Sequence, residues 1–435
     1  MLLGTQAVNE RGHLQIGGVD VVELAAEFGT PLYVMDEATI RDSIRAYRQA
    51  FVSRYPQSRL AFAGKAFLCQ GMCRLVEQEG INLDVASGGE LFTALRAGFP
   101  PERLEFHGNN KSDAELHMAL DAGVGRIMVN DRYELERLAE LTAGREPPQP
   151  ILLRLAPGVN PHTHRRISTG QADTKFGLSL EGDAAIEAVG RALELPGVEL
   201  RGVHCHVGSQ LHDAEAHRAA IEAMVAFLAE AREKLGITLP ELNIGGGLGI
   251  RYLESDRPPS LDAFADALIG ALTESLGAHD YPAPELHQEP GRFLVGEAGT
   301  TLYTVGRLKD IPGLRTYVVV DGGLSDNPRP AMYEAEYSVL PADRMREAAE
   351  ATVTIAGKHC ETDTLFTGIK LPMPRPGDLL AVQSTGAYNY VMASNYNRYP
   401  RPAVVLVNDG RADLLVRRET YEDLLRSDVI PLRLA

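Results

Sequence analysis

The sequence predicts an α/β protein with an added β domain: a (β/α)8 barrel of TIM type and a C-terminal β-sandwich or β-barrel that the N-terminal strands complete. Three observations predict it. Over residues 31–289, short apolar runs alternate with longer stretches of helical period, the pattern of repeated βα units, and about eight such units in ~250 residues is the size of one closed parallel barrel. From residue 290 onward, strand-like runs separated by turn residues take over. The chain, at 435 residues, is also longer than one ordinary core accommodates.

The strand-like runs of the first region fall at 31–35, 60–63, 82–85, 104–107, 126–129, 151–155, 202–206, 242–244 and 285–289. Helical stretches fall at 36–54, 89–97, 131–141, 214–235 and 261–276, so the barrel is expected over 31–289. The β domain is expected over 290–435, with strands at 300–305, 316–320, 351–355, 379–383 and 403–407. Residues 1–30 carry strand-like pieces around 13–16 and are expected to join it, because chain ends commonly lie close together. The Glu-Pro-Pro-Gln-Pro stretch at 146–150 reads as a loop between barrel units, since periodic structure resumes on both sides. In such a barrel the chemistry stands at the carboxyl ends of the strands.

Composition removes several classes of function. Hydrophobic residues at 44% and charged residues at 23% are ordinary globular values, which argues against disordered or fibrous chains. No apolar run approaches the ~18 residues that cross a bilayer, and the N-terminus lacks the basic-then-apolar pattern of a signal peptide. The expected location is cytoplasmic. Lys and Arg number 43 against 59 Asp and Glu, and the net charge of −16 repels phosphate backbones and anionic lipid. Neither nucleic acid nor a membrane is an expected partner. Cys69, Cys73, Cys205 and Cys360 show no paired-knuckle spacing, which fits a reducing compartment and gives no zinc framework. Cys69 and Cys73, one helical turn apart, read as small buried residues on one helix face.

Lys65, in FAGKAF, directly follows an apolar strand and would project into the barrel mouth. An apolar setting lowers the pKa of an amine, as an aldehyde-binding lysine requires. A strand-end lysine pointing to solvent has the same local sequence, and the segment alone does not choose. His204 and His206, in HCHVGSQ, end another strand, where alternation puts both on one face. They suit either metal ligation, as in barrel hydrolases, or an imidazole stacked on a flat cofactor with Gly208 and Ser209 turned toward its phosphate. Gly245, Gly246 and Gly247, in GGGLG, follow a strand and allow successive N–H groups to close around an anion. Simple turns also use such clusters. Glu289, Gly291 and Arg292, in EPGR, bring a carboxylate and a guanidinium to one rim. A carboxylate against a pyridine nitrogen keeps that nitrogen protonated, while a structural ion pair reads the same in isolation. In the β domain, Arg329, Tyr333, Cys360, Glu361 and Tyr388 gain meaning only in combination.

With these segments in order, the chain resembles the diaminopimelate decarboxylase family, within the alanine-racemase-like (fold-type III) pyridoxal-phosphate enzymes. The resemblance runs through nearly the whole chain: FAGKAF, LDVASGGEL, FHGNNKS, PGVNPHTHRRISTG with KFGL, HCHVGSQ, GGGLG, EPGR, HCET and TGAYNYVMASNYN. It implies pyridoxal 5'-phosphate as cofactor, no metal, and decarboxylation of meso-2,6-diaminopimelate to L-lysine and CO2, the last step of lysine biosynthesis. It also implies roles. Lys65 would carry the cofactor covalently and His206 would stack on its ring, while Glu289 would contact the ring nitrogen. Ser209, Gly245, Gly246, Gly247 and the turn holding Gly291 and Arg292 would grip the phosphate, with Asp84 and Tyr388 also at the cofactor. Arg292, Arg329, Tyr333, Glu361 and Tyr388 would bind substrate. Cys360 would be the catalytic acid, and it and Glu361 would reach the site of a partner subunit in a homodimer.

The residues narrow this further. Diaminopimelate carries an amino-acid group at each end, so a selective site needs partners for a distal carboxylate and ammonium, which Arg292, Arg329 and Glu361 supply. Related decarboxylases of simpler basic amino acids usually carry Asp after the Cys, and racemases of this class place Arg at the ring nitrogen. Two departures stand out: Cys360-Glu361-Thr362-Asp363-Thr364 displaces or loses an Asp the family usually carries, and Asn389 and Val391 replace Gly and Ser beside Tyr388. The alternatives are a same-class decarboxylase of ornithine, arginine or D-lysine type, and a barrel metal hydrolase using His204 and His206.

Overall fold

The computed structural model describes residues 1–159 and 174–435, so most of the PGVNPHTHRRISTG segment, 157–170, lies outside the described residues. The chain forms two compact units, Asp42–Ile250 with Arg257–Leu294, and Met1–Arg41 with Arg251–Asp256 and Val295–Ala435.

The first unit is a closed barrel of eight parallel strands, Ser58–Ala63, Asn82–Val85, Leu104–Phe106, Arg126–Val129, Gln149–Ala156, Val198–His204, Glu241–Asn243 and Glu285–Gln288. Each pairs with the next, and the eighth returns to the first through Leu286 opposite Ser58 and Gln288 opposite Leu60. A short strand, Leu178–Ser179, pairs outside this ring with Leu155–Ala156. Such strands are covered on both faces, which is why they read as unbroken apolar runs: Ile151, Leu152 and Leu153 are all fully buried. The helices cover the barrel with one apolar stripe each. Glu215–Leu235 buries Ala220, Ile221, Met224, Val225 and Leu228, and stops at Gly236 in the left-handed region at φ 69°. Asp113–Ala122 opens with a capping box between Ser112 and Glu115.

The second unit is built on a nine-stranded sheet. Its central strand, Gly299–Ile311, pairs antiparallel with Arg315–Val320, Leu379–Val382 and Leu32–Asp36. Leu32–Asp36 also pairs in parallel with Ala403–Asn408. Here one expectation is corrected: the 31–35 run was expected in the barrel, and it belongs to this sheet. All five residues of the strand are buried, and burial on both faces erases the alternation that would have distinguished one sheet from another. The barrel therefore begins at Ser58. Val339–Pro341, Thr364–Leu371 and Arg411–Val416 are further strands; the first and last have no buried residue.

Residues Ala7–Val8, Leu14–Ile16 and Val19–Asp20 form their own three-stranded sheet. Leu14 and Ile16 pack into one core with Val34, Leu302, Ala381 and Val405, and the Leu14 N–H donates to the Ala342 carbonyl at 2.7 Å. All four cysteines are free thiols. No helix among the described residues is long and apolar enough to cross a membrane.

Candidate active site

The polar side chains of the barrel unit gather where its strands end. Lys65 lies in a 3-10 turn, Gly64–Ala66, immediately after the first strand. Its Nζ stands 4.0 Å from Asp84 Oδ2, and its side chain is 42% exposed. The expected apolar setting is thus only half realised: the amine meets a carboxylate and water. Asp84, on the second strand, is 1% exposed, and among the described residues neither of its oxygens has a hydrogen-bond partner. Burial raises its pKa to about 6, against the pull of His107 and Lys65.

Glu289 directly follows the eighth strand and is held from three others. Asn243 Nδ2 donates to Oε1 at 2.7 Å, His107 Nε2 stands 2.9 Å from Oε1, and His204 Nε2 lies 3.2 Å from Oε2. Burial alone would push this carboxyl up; the two imidazoles outweigh it and hold it well below the usual carboxylate range. His204 is driven down to about 4 by burial. It is therefore neutral, and because the carboxylate only accepts, Nε2 carries the hydrogen.

The sixth strand stops at His204, so strand alternation does not place His206, which lies in the following loop. Its Nδ1 accepts the Gly246 N–H at 3.3 Å. Burial, with Lys65 and Arg154 nearby, holds His206 well below its ordinary pKa, so it presents a neutral ring. His204 groups with His107 and Glu289 as potential ligands, not with His206. No such group of three among the described residues joins His204 with His206.

Gly245 sits at φ +68°, and its N–H is committed to Asn243 Oδ1 at 2.8 Å. It turns the chain there, and the Gly246 N–H is likewise engaged, by His206 Nδ1. A Cβ at Gly246 would stand 2.2 Å from the Glu289 carbonyl, and one at Gly247 2.7 Å from that of Gly208. These glycines let three strand-end loops press together. At Gly291 a Cβ would meet Ala63 and Ala66 at 3.0 Å each. Arg292, buried, donates to Ser209 Oγ from Nε at 3.2 Å and Nη2 at 3.0 Å.

The second unit carries the remaining expected residues. Arg329 is buried, donates from Nε to the Tyr337 hydroxyl at 2.7 Å, and has its guanidinium over the Tyr333 ring at 5.2 Å. Asn389 links to Tyr337 and donates to Asn327 Oδ1 at 2.9 Å, so the departure beside Tyr388 supports the residue that orients Arg329. Tyr388 itself is left-handed at φ +59°. Cys360 and Glu361 are exposed, and Glu361 accepts from the Tyr396 hydroxyl at 2.7 Å. Asp363, the displaced acid, braces their loop: it pairs with His359 Nδ1 at 2.5 Å and accepts the Leu324 N–H at 2.8 Å.

Sequence reasoning gave no role to His107, Asn243 or Arg154. His107 stood within FHGNNKS at a strand end, the one signal available. The Asn243 amide and Arg154 guanidinium sit inside apolar strands, and only their barrel neighbours give them meaning.

These groups fit pyridoxal 5'-phosphate. An amine can hold an aldehyde, a clamped buried carboxylate suits a ring nitrogen, a neutral imidazole suits a flat ring, and Arg292 with Ser209 beside close-packed glycines suits a phosphate. A parallel barrel with this set at its strand ends defines a pyridoxal-dependent enzyme. The family model described as "Pyridoxal-dependent decarboxylase, pyridoxal binding domain" matches residues 38–296. The diaminopimelate decarboxylase of Bacillus subtilis is 49% identical over 429 residues, 98% of each chain. The structure of diaminopimelate decarboxylase from M. jannaschii in complex with L-lysine superposes with TM-score 0.93 at 36% identity, covering 100% of both chains. That of the Helicobacter pylori enzyme, also with L-lysine, gives 0.85 at 30% identity, covering 94% of this chain and 98% of the other. A lysine/ornithine decarboxylase from Vibrio vulnificus, at 24% identity and TM-score 0.76, shares the fold. The chain belongs to the diaminopimelate decarboxylase family.

Proposed function

We propose that this protein decarboxylates meso-2,6-diaminopimelate to L-lysine and CO2 with pyridoxal 5'-phosphate, using the barrel-mouth residues above. The observation that carries the reading is the joint placement of Lys65, Asp84, His206, the Arg292–Ser209 pair and Glu289 at the ends of barrel strands, in a chain nearly half identical to curated diaminopimelate decarboxylases.

When bound, the cofactor supplies an electron sink for the pair left by departing CO2. The protein's own groups do the rest. Lys65 Nζ would hold the cofactor covalently. Glu289 would keep a proton on the ring nitrogen, and His206, neutral, would lie against the ring without adding charge. Arg292, Ser209, Gly245, Gly246, Gly247 and the Gly291 turn would hold the phosphate. Asp84, its buried carboxyl raised to about 6, stands 4.0 Å from Lys65 Nζ and would orient that amine. Arg292 and Arg329 orient carboxylates, Glu361 takes the distal ammonium, and Tyr333 and Tyr388 line the substrate. Cys360 Sγ delivers the proton that replaces CO2.

Cys360 and Glu361 are exposed on the single chain, which supports a homodimer in which they complete the partner's site. Four free thiols are in keeping with a reducing, cytoplasmic setting.

The test is CO2 release by the pyridoxal-loaded protein from meso-diaminopimelate, L-ornithine, L-arginine and D-lysine. Diaminopimelate should be turned over at least roughly tenfold faster than the others, since a site built around a distal carboxylate is left unpaired by substrates lacking it. Lys65→Ala should lose the near-visible absorbance of lysine-bound cofactor. Faster turnover of any other substrate, or full activity of Lys65→Ala, would overturn the reading.

A further inference from the structure

The resemblance assigns a role to Glu289 but none to the groups that hold it. Its two oxygens are met by three side chains from three other strand ends, at 2.7 Å by Asn243, 2.9 Å by His107 and 3.2 Å by His204. All four residues are at most 5% exposed. The Asn243 amide cannot turn over freely, because its Oδ1 accepts the Gly245 N–H at 2.8 Å, which aims Nδ2 at Glu289. The two imidazoles brace each other edge to face, with ring centres 5.0 Å apart. We propose that His107, His204 and Asn243 are positioning residues that fix Glu289 as an aimed, unprotonated partner for the cofactor's ring nitrogen; this rests on the role proposed for Glu289 above.

The physical need is plain. A carboxylate buried alone takes up a proton, and a protonated Glu289 no longer holds the ring nitrogen in its electron-withdrawing form. Several donors, one of them able to carry charge, reverse that preference. The other charged groups facing the cluster come from neighbouring strands. Asp84 lies 3.9 Å from His107 Nε2, so His107 is shared between two carboxylates and is raised above its ordinary pKa by them against burial. Arg154 feels Glu289 and Asp84, and buried Glu105 feels Glu289. His204, neutral, contributes a donor without charge. The two histidines are thus placed differently: His107 stands between two carboxylates, and His204 meets Glu289 alone.

The experiment reads the nitrogen directly. Holoenzyme reconstituted with ring-15N-labelled pyridoxal 5'-phosphate is titrated by 15N NMR, as wild type and as His107→Gln, His204→Gln, Asn243→Ser and Glu289→Gln. The wild-type nitrogen should stay protonated across the range in which the protein is folded. His107→Gln should move the ring-nitrogen 15N shift furthest toward that of an unprotonated ring at neutral pH, because a Glu289 that has lost a close partner competes better for the shared proton. His204→Gln and Asn243→Ser should move it less. In each, kcat should fall by roughly tenfold with little change in KM, the scale of removing a group that orients a functional side chain. Glu289→Gln separates the two claims. If it moves the nitrogen toward the unprotonated shift while the three clamp variants match wild type, the clamp is overturned and the Glu289 role stands, even where kcat falls. If it leaves the nitrogen unmoved, the Glu289 role and the clamp fall together. Asn243→Ser removes a donor without touching the imidazoles, so the clamp stays testable should either histidine variant misfold.

Discussion

Arg292 reaches the hydroxyl of Ser209 with two of its guanidinium nitrogens, Nε at 3.2 Å and Nη2 at 3.0 Å, across 83 positions of sequence. This joins the turn after the eighth strand to the loop after the sixth and fixes the fork before any anion arrives. Ser209→Ala should weaken pyridoxal 5'-phosphate binding about tenfold, the worth of one hydrogen bond to a charged group. Arg292→Lys should weaken it more, because an ammonium cannot reproduce the fork. Equilibrium dialysis of both variants checks this, and unchanged affinity would rule out a phosphate role for the pair.

Arg329 depends on Tyr337 in the same way within the second unit. The Tyr337 hydroxyl takes the Arg329 Nε–H at 2.7 Å in a fully buried setting. Tyr337→Phe leaves the guanidinium one acceptor short and free to turn, so KM for diaminopimelate should rise roughly tenfold at about 1.4 kcal/mol, with kcat less affected. Steady-state kinetics on diaminopimelate decides it; a fall in kcat at constant KM would place Arg329 elsewhere in the cycle.

The thiols differ sharply in accessibility. Cys73 and Cys205 are buried, which pushes each up to about 12, and Cys69 is also raised by burial, whereas Cys360 is exposed. Iodoacetamide should therefore label Cys360 first, with activity lost in step. Peptide mapping against residual activity is the check; labelling of Cys360 without inactivation would argue against its role as the acid.

His287 lies inside the barrel, 2.7 Å from Glu285, 3.7 Å from Glu241 and 3.8 Å from Glu105. Burial pulls its pKa down, but Glu105 and Glu285 outweigh it and raise it from 6.5 to about 9. Folding therefore takes up a proton here: the contribution is complete below pH 6.5 and is lost as pH rises through 9. It amounts to a few kcal/mol at most, at about 1.4 kcal/mol per unit. The thermal midpoint should fall between these limits, and His287→Gln should start lower at pH 6 and decline less. Parallel profiles for the two proteins would assign the loss to other groups.

The barrel was legible in the sequence because its strands are buried on both faces and its helices on one. Runs such as Ile151–Leu152–Leu153 and the stripe of Glu215–Leu235 therefore carry the two periods openly. The strand ends then pointed to Lys65, Glu289 and the glycines, whose residue types already suit a cofactor amine, a ring-nitrogen partner and a tight phosphate loop. What local sequence could not decide was partnership. Leu32–Asp36 has the pattern of a barrel strand and is claimed by another sheet, since hydrogen bonds to Gly299–Ile311 and Ala403–Asn408 form across hundreds of positions. His107 looked like a strand-end polar residue and Asn243 like a polar interruption of an apolar strand, and they meet Glu289 only because barrel closure brings four strand ends within hydrogen-bond reach. Lys65 stands just past the first barrel strand, but a neighbour of its amine is the buried Asp84 carboxylate and not the apolar wall its own segment suggested. The sequence by itself determined which strands and turns form and which chemical groups stand at their ends, because those follow from contacts a few residues apart. Which of those groups meet was decided by tertiary structure alone, because charge, burial and hydrogen bonding act through space between residues the chain holds far apart.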